Sequence, residues 1–480
     1  MKLNYTILHI SDLHKPQKSS YKNLCESLFV DSDHYEKDGI QKPEIIVVSG
    51  DLIEGSKNND AEQAAAEIRS QYRDVAGFLN ELVNYFLGGD KSRIVIVPGN
   101  HDVYRNASSA SMKKESVSGE IEIRRRRKLV GIGEQRWSWK DLSFYSIENQ
   151  EQYETRFDLF VEFYNNFYAE LRPKRTWEVP CEKKAQIIDL PEYNLCFLAL
   201  NSCYRLDHLN DSGSIFPSAL TSVQRKLISV AKRGSLVIGV WHHHTYGLPY
   251  ENNYLDYRIL QSLIDAQVKI GLYGHQHLTS ILDEYHDLTR KERILLISSG
   301  SLYGNRDQLL TGCPRQYGLI SLEFQEEGVA LTLHVRKDPT NFDIPSWCQG
   351  QIGTSSLVEY HEQIKLCKLK IESFIQDIDY YVQQTHDYQT GYTEILKYTD
   401  LDRETCLKFA DSYLSHITNY SFIQSVISVP ETDFQFMYLL NAAVELRDTK
   451  LINRLKTDAR YESVAGVLMN YLREKIRDLV

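Results

Sequence analysis

No window of the 480-residue chain approaches the roughly eighteen uninterrupted apolar residues that a membrane-crossing helix needs. No CxxC pair occurs among the eight cysteines, Cys25, Cys181, Cys196, Cys203, Cys313, Cys348, Cys367 and Cys406. Several of these lie in apolar runs, which reads as free thiols in a reducing compartment rather than as a disulfide framework. Met1-Lys2-Leu3-Asn4-Tyr5 carries no cationic stretch, no long apolar core and no cleavage site of a secretory leader; the expected location is the cytosol. Positive charge is in deficit. The formal net charge is −10 and the pI about 5.9, so the chain as a whole exerts no pull on nucleic acid or anionic lipid. An anionic substrate must be held by metal or by a local basic patch. No repeat of fixed period, no low-complexity tract and no Walker-type phosphate loop is present.

What is there is ordinary globular composition, 42% hydrophobic and 25% charged, with length for a large core and two domains. Short apolar runs predict strands at residues 6–10, 45–48, 94–97, 195–200, 236–240, 270–273 and 294–297. Residues 317–324 and 329–335 alternate like a hairpin around Glu326-Glu327-Gly328. Ile68, Tyr72, Val75, Leu79, Leu82 and Phe86 recur at steps of three and four, which predicts a helix over 61–87 stopped at Gly88-Gly89. Strands alternating with helices argue for a layered α/β domain with its site at the carboxyl ends of the strands.

Five polar segments each follow such a run: Asp12-Leu13-His14, Gly50-Asp51, Gly99-Asn100-His101-Asp102, His242-His243-His244 and Gly274-His275-Gln276-His277. Carboxylate oxygen, amide oxygen and imidazole nitrogen suit Mn²⁺, Fe or Zn²⁺. A lone DxH or GD is common turn chemistry. GNHD packs three ligands or hydrogen bonders into one loop, and GHxH sets two imidazoles on one side of an extended segment. Taken together, in this order, the five predict two divalent metals held a few ångströms apart, an arrangement suited to hydrolysis of a phosphate ester.

This ordered set resembles the calcineurin-like metallophosphoesterase superfamily over residues 1 to about 337. The resemblance implies a two-sheet α/β sandwich flanked by helices. It implies that Asp12, His14 and His277 hold one metal, that Asn100, His275 and a histidine of the 242–244 run hold the other, and that Asp51 bridges them. His101 resembles the histidine that contacts the phosphate or protonates the leaving oxygen, with Asp102 orienting it. The resemblance breaks at Trp241-His242-His243-His244, where family members usually show one or two histidines, often followed by proline; Thr245 follows here. His242 is taken as the ligand, His243 as the alternative, and His244 as lying outside the ligand set. The implied reaction is attack on phosphorus by a hydroxide bridging two divalent ions, Mn most readily, with Fe or Zn as alternatives.

Residues 103–190 interrupt the strand series and are expected to form an insertion beside the site, either a cap over the substrate or a peripheral helical layer. Its run Arg124-Arg125-Arg126-Arg127-Lys128 is either a phosphate-backbone contact or a solvated charged face; Trp137 and Trp139 either stack on bases or fill a core. Asn201 and Ser202 either support the site or shape a turn. Residues 338–356, with Pro339, Pro345, Gly350 and Gly353, read as a linker. Beyond it Leu357, Ile364, Ile371 and Ile378, with Tyr360, Cys367, Phe374 and Tyr381, form an a/d seam, so 357–480 is expected to be an all-α domain whose first helix is heptad-patterned. That seam serves a homodimer or protein partner, or an intrachain bundle with the helical segments 401–418, 432–447 and 462–479. The functional expectation is a phosphodiesterase acting on nucleic acid, as a nuclease, or on a nucleotide. The alternatives are a phosphomonoesterase of protein-phosphatase type, and an assembly subunit working through its C-terminal helices.

Overall fold

Ile45-Ile46-Val47-Val48 and Ile94-Val95-Ile96-Val97 are β-branched throughout, a composition that restricts χ1 and suits a strand covered on both faces. In the computed structural model both are fully buried strands. The structure describes residues 4–14, 20–116, 119–127, 135–246, 253–287, 292–304, 309, 311–325, 328–340, 342–353, 355–366, 371–399 and 402–479. It divides into two units, Met1–Cys367 and Lys368–Val480.

The first unit holds two large sheets. One contains β1 (Asn4–Ile10), β2 (Ile45–Ser49), β3 (Ile94–Val97), β13 (Arg315–Gln325), β14 (Gly328–Asp338), β15 (Cys348–Gln349) and β16 (Glu359–Lys365), in the order β15-β14-β13-β1-β2-β3, with β16 also on β14. β1, β2 and β3 run parallel, and β13 pairs β1 antiparallel. The other contains β7 (Ala185–Leu190), β8 (Leu195–Leu200), β9 (Leu236–Val240), β10 (Ile270–Tyr273), β11 (Ser280–Asp287) and β12 (Glu292–Ser298), in the order β11-β12-β10-β9-β8-β7. β8, β9, β10 and β12 run parallel. Both sheets contribute to one continuous core that includes Ile7, Val47, Ile96, Phe197, Ile238 and Leu272. Helices α1 (Tyr21–Ser32) and α2 (Ala61–Leu87) pack into that core; α2 has the bounds its apolar period predicts and is capped by Asp60, which accepts from the Gln63 amide. The expected hairpin, helix and strands are all present, and the layered α/β architecture is as the sequence implies. No helix among the described residues is long and apolar enough to cross a membrane.

Two boundaries differ from expectation. The interruption that starts at residue 103 ends before 190, because 185–190 is β7, an antiparallel edge strand of the second sheet. Its Gln186 and Asp189, on either side of Ile187-Ile188, weaken the apolar signal of an edge strand. The intervening segment builds a small sheet of β4 (Met112–Lys114), β5 (Gln135–Ser138) and β6 (Ser143–Ile147), with helices α3 (Arg105–Ala110), α4 (Glu120–Arg127), α5 (Gln150–Glu154) and α6 (Asp158–Phe167). Trp137 is buried against Phe144 in this small sheet, whereas Trp139 is exposed. Arg124 pairs with Glu120 on an exposed face of α4; Lys128 lies outside the described residues. The segment also grips the loop after β8. Arg136 Nε donates to Asp207 Oδ2 at 2.6 Å, and the buried Arg156 guanidinium donates to the Tyr204 and Leu206 carbonyls.

The second boundary is the heptad seam. Residues 359–365 are not helical but form β16, whose Ile364 is buried in the first unit's core. Glu359, His361 and Gln363 alternate with Tyr360, Glu362 and Ile364, and this period of two competes with the seven-residue spacing. The first C-terminal helix is therefore α9 (Ile371–Thr385), ten residues or more after the expected start. It is followed by α10 (Tyr388–Leu396), α11 (Arg403–Leu414), α12 (Tyr420–Val426), α13 (Asp433–Glu445), α14 (Thr449–Lys456), α15 (Arg460–Ser463) and α16 (Val467–Leu479). Ile375 and Val382 of α9 pack within this unit's own core, with Tyr392, Leu414, Phe436 and Leu472. Tyr381 of the expected seam is exposed.

Candidate metal centre

The parallel strands β1, β2 and β3 end side by side, and β9 and β10 end side by side in the facing sheet. The polar residues that follow each strand are thereby forced into one crevice. Backbone hydrogen bonds lock them: Asp12 N donates to the Gly50 carbonyl, Leu13 N to the Asp51 carbonyl, and Gly274 N to the His242 carbonyl. Asp12, Asp51, His275 and His277 all sit at left-handed φ, 53°, 52°, 71° and 54°. Such residues store about 1–3 kcal/mol each and persist where the surroundings over-determine them. Gly99 approaches so closely that a Cβ there would lie 2.2 Å from Asp51 Oδ1; the loop can pass under that carboxylate only without a side chain.

Two ligand cups share one oxygen. Asp51 Oδ2 lies 3.3 Å from His14 Nε2 and 3.2 Å from His242 Nε2. On one side Asp12 Oδ1 is 3.7 Å from His14 Nε2 and 3.2 Å from His277 Nε2. On the other, Asn100 Oδ1 is 2.9 Å from both His242 Nε2 and His275 Nδ1. Asp12, His14 and His277 form one group whose donor atoms fall within 4.8 Å of one another; Asp12, Asp51 and His242 form another; His14, Asp51 and His101 a third. Both ring nitrogens of His14 and the Asp12 Oδ1 are buried without a hydrogen bond. Hard carboxylate oxygen, amide oxygen and imidazole nitrogen converging on two points fit a pair of divalent cations.

The electrostatics point the same way. Burial opposes ionisation of Asp12 and Asp51, yet the imidazoles around them hold both carboxyls well below the usual carboxylate range. Burial likewise opposes a charge on His14 and His242. The adjoining carboxylates outweigh it and raise His14 to about 10 and His242 to about 9. In the metal-free protein, protons on these rings occupy the place of cationic charge. Burial and the neighbouring His242 charge lower His275 to about 3. The His242 tautomer follows from its partner. Its Nδ1 lies 2.8 Å from the Ser49 carbonyl, which only accepts, so Nδ1 carries hydrogen and Nε2 faces the cups. His101 repeats this pattern, with Nδ1 2.9 Å from the Glu54 carbonyl.

Of the triple histidine, His242 alone enters a cup. His243 is turned to Ser202, and His244 Nδ1 is engaged by the Tyr246 backbone. Asp102 does not orient the His101 ring as the resemblance implies. Its carboxylate accepts from the amides of Gly99 and Leu52 and from the Tyr72 hydroxyl, while the Glu54 carbonyl takes the imidazole. A carboxylate two bonds from the loop backbone satisfies nearby N–H groups more readily than it reaches round the adjacent ring. Asp102 thus pins the loops carrying Asp51 and Asn100. Burial, with the Asp51 charge, raises Asp102 to about 7. Asn201 shapes a turn, its Oδ1 accepting from Cys203 N at 2.8 Å. Tyr72, Ser49 and the Glu54 carbonyl escape detection in the sequence. The α2 period marks Tyr72 only as core, and a backbone acceptor leaves no residue signature.

The model of the family described as calcineurin-like phosphoesterase matches residues 5–278, more than half the chain. No curated protein matches it. Among solved structures, GAP50, described as the anchor in the inner membrane complex of Plasmodium, is 14% identical, with 77% of this chain and 91% of that chain covered and a TM-score of 0.33. A dimetal phosphatase from Danio rerio is 12% identical, with coverage of 70% and 97% and a TM-score of 0.36. The calcineurin-like phosphoesterase YfkN from Bacillus subtilis is 9% identical, with coverage of 76% and 91% and a TM-score of 0.28.

Proposed function

The chain belongs to the calcineurin-like phosphoesterases, and from that membership we propose that it hydrolyses phosphate diesters of nucleic acid or nucleotides with two divalent metals, Mn²⁺ first. The observation that carries this reading is the single oxygen, Asp51 Oδ2, placed between His14 and His242 at 3.3 and 3.2 Å. Asp12, His14, His277 and Asp51 would hold one cation, and Asp51, Asn100, His242 and His275 the other. Such a pair lowers the pKa of water and withdraws charge from phosphoryl oxygens. The chain's own groups do the rest. Asp51 Oδ1 accepts the His101 amide at 2.9 Å and fixes that loop against the centre. His101, its Nδ1–H given to the Glu54 carbonyl, would act on the departing alkoxide as the imidazolium, giving up a second proton carried on Nε2 and returning to the neutral Nδ1–H ring. Asp102 positions the loops rather than touching substrate.

Preference for a diester follows from charge. Among the described residues, no arginine or lysine hydrogen-bonds or ion-pairs with Asp12, Asp51, Asn100, His14, His242 or His275. A singly charged diester asks for less countercharge than a dianionic monoester. Turnover of bis(p-nitrophenyl) phosphate against p-nitrophenyl phosphate with added Mn²⁺ tests this. The diester is expected to be hydrolysed faster; equal or faster monoester turnover assigns the chain to the monoesterases. A panel of single-stranded DNA, duplex DNA, RNA and cyclic nucleotides then identifies the class of diester.

A further inference from the structure

Ser202, two residues beyond β8, is wholly buried, and its hydroxyl sits at the foot of the triple histidine. Three groups meet its oxygen: the His242 amide at 3.1 Å, the His243 amide at 3.1 Å, and the His243 ring Nδ1 at 2.8 Å. A hydroxyl has two acceptor sites and one proton. Both acceptor sites are taken by backbone N–H groups, which cannot accept in return. The hydroxyl proton must therefore go to His243 Nδ1, which makes that nitrogen an acceptor and puts the ring hydrogen on Nε2. This is the reverse of His242, whose Nδ1–H is given to the Ser49 carbonyl. Gly213 lies against the His243 ring, where a Cβ would approach its Cγ to 2.7 Å, so only glycine lets the ring sit at this position.

We propose that Ser202 is a positioning residue whose hydroxyl decides which histidine of the run serves the metal centre: it clamps both backbone amides, sends His242 Nε2 to Asp51 and Asn100, and holds His243 as the neutral Nε2–H form, unable to ligate. The ring of His243 stands 4.8 Å from that of His275 and 5.3 Å from that of His242. A one-residue slip of the run would put the wrong imidazole into the second cup. The loop that presents Ser202 is itself anchored by Arg136 on Asp207 and by Arg156 on the Tyr204 and Leu206 carbonyls. The inserted segment thus reaches the metal centre through this serine.

The inference rests on the two-metal reading, so metal content of the full-length wild-type chain is measured first by elemental analysis; a chain that takes up no Mn²⁺ overturns that reading, not the role of Ser202 alone. Given two bound ions, Ser202→Ala is expected to weaken the second by about 10–100-fold, the usual loss on removing a group that orients a ligand. His243→Phe, which keeps ring volume, is expected to retain two ions, and His242→Ala one. Nitrogen-15 NMR of the wild-type imidazoles is expected to show His243 as the neutral Nε2–H tautomer, and Ser202→Ala to mix the tautomers. Full metal affinity in Ser202→Ala, loss of an ion in His243→Phe, or a wild-type His243 bearing hydrogen on Nδ1 would each overturn the proposal. The NMR and His243→Phe results decide it even where the alanine variant does not fold.

Discussion

Asp51 is the residue on which both cups converge, through one oxygen of a fully buried carboxylate. Asp51→Asn keeps the shape and removes the charge; it should drop metal content below one ion per chain and turnover by about three orders of magnitude or more, the scale of losing metal-assisted charge stabilisation. His101→Ala should slow turnover by about 10²–10⁴, the range of a lost general acid, with two ions retained; large metal loss would contradict its role. His242→Ala should cost more metal than His244→Ala, because only His242 faces Asp51 and Asn100. The raised His14 and His242 values have a definite sign. A proton bound below about 10 and about 9 must leave when a cation arrives. Calorimetry in buffers of different ionisation enthalpy should show release of about two protons per chain at pH 7, and metal affinity should rise with pH until about 9–10. In the metal-free chain these two ion pairs stabilise the fold fully below the ordinary histidine value, and that contribution is lost as pH rises through 9–10. The candidate ligands were legible as residue types after strands. The partners of His101, Asp102 and His243 were not, because hydrogen bonds to backbone carbonyls and a serine hydroxyl carry no fixed spacing.

Elements buried on both faces were the most legible. Ile45-Ile46-Val47-Val48, Ile94-Val95-Ile96-Val97 and Leu195–Leu200 are uniformly apolar and bounded, so each admits one assignment. Edge strands were not: β7 and β16 each bury one face only, and β16 carries a period of two that coincides at Ile364 with a seven-residue spacing. A truncation separates the two readings of this segment. A chain ending at 356 loses β16, which lies along β14 through His334 opposite Glu359 and Val329 opposite Ile364, and bares an edge of hydrogen-bonding groups. It should melt several degrees below a chain ending at 367 and aggregate more readily. Equal melting temperatures and solubility would mean that β16 contributes nothing to the sheet.

At the scale of the whole molecule, the candidate metal centre draws all its ligand groups from the first unit, between Asp12 and His277, and the helical unit has a core of its own. A chain ending at 367 should therefore bind two metals and hydrolyse bis(p-nitrophenyl) phosphate within about threefold of the full-length rate; loss of metal on truncation would show that α9–α16 help build the centre. The net charge of −10 makes weak, salt-insensitive binding of undamaged duplex DNA the expected behaviour outside the centre. The most direct test of the account is anomalous scattering from crystals of the Mn²⁺-loaded chain. Two peaks a few ångströms apart are predicted, one among Asp12, His14 and His277, the other among Asn100, His242 and His275, with Asp51 between them. A single peak away from Asp51, or none in this crevice, would contradict it.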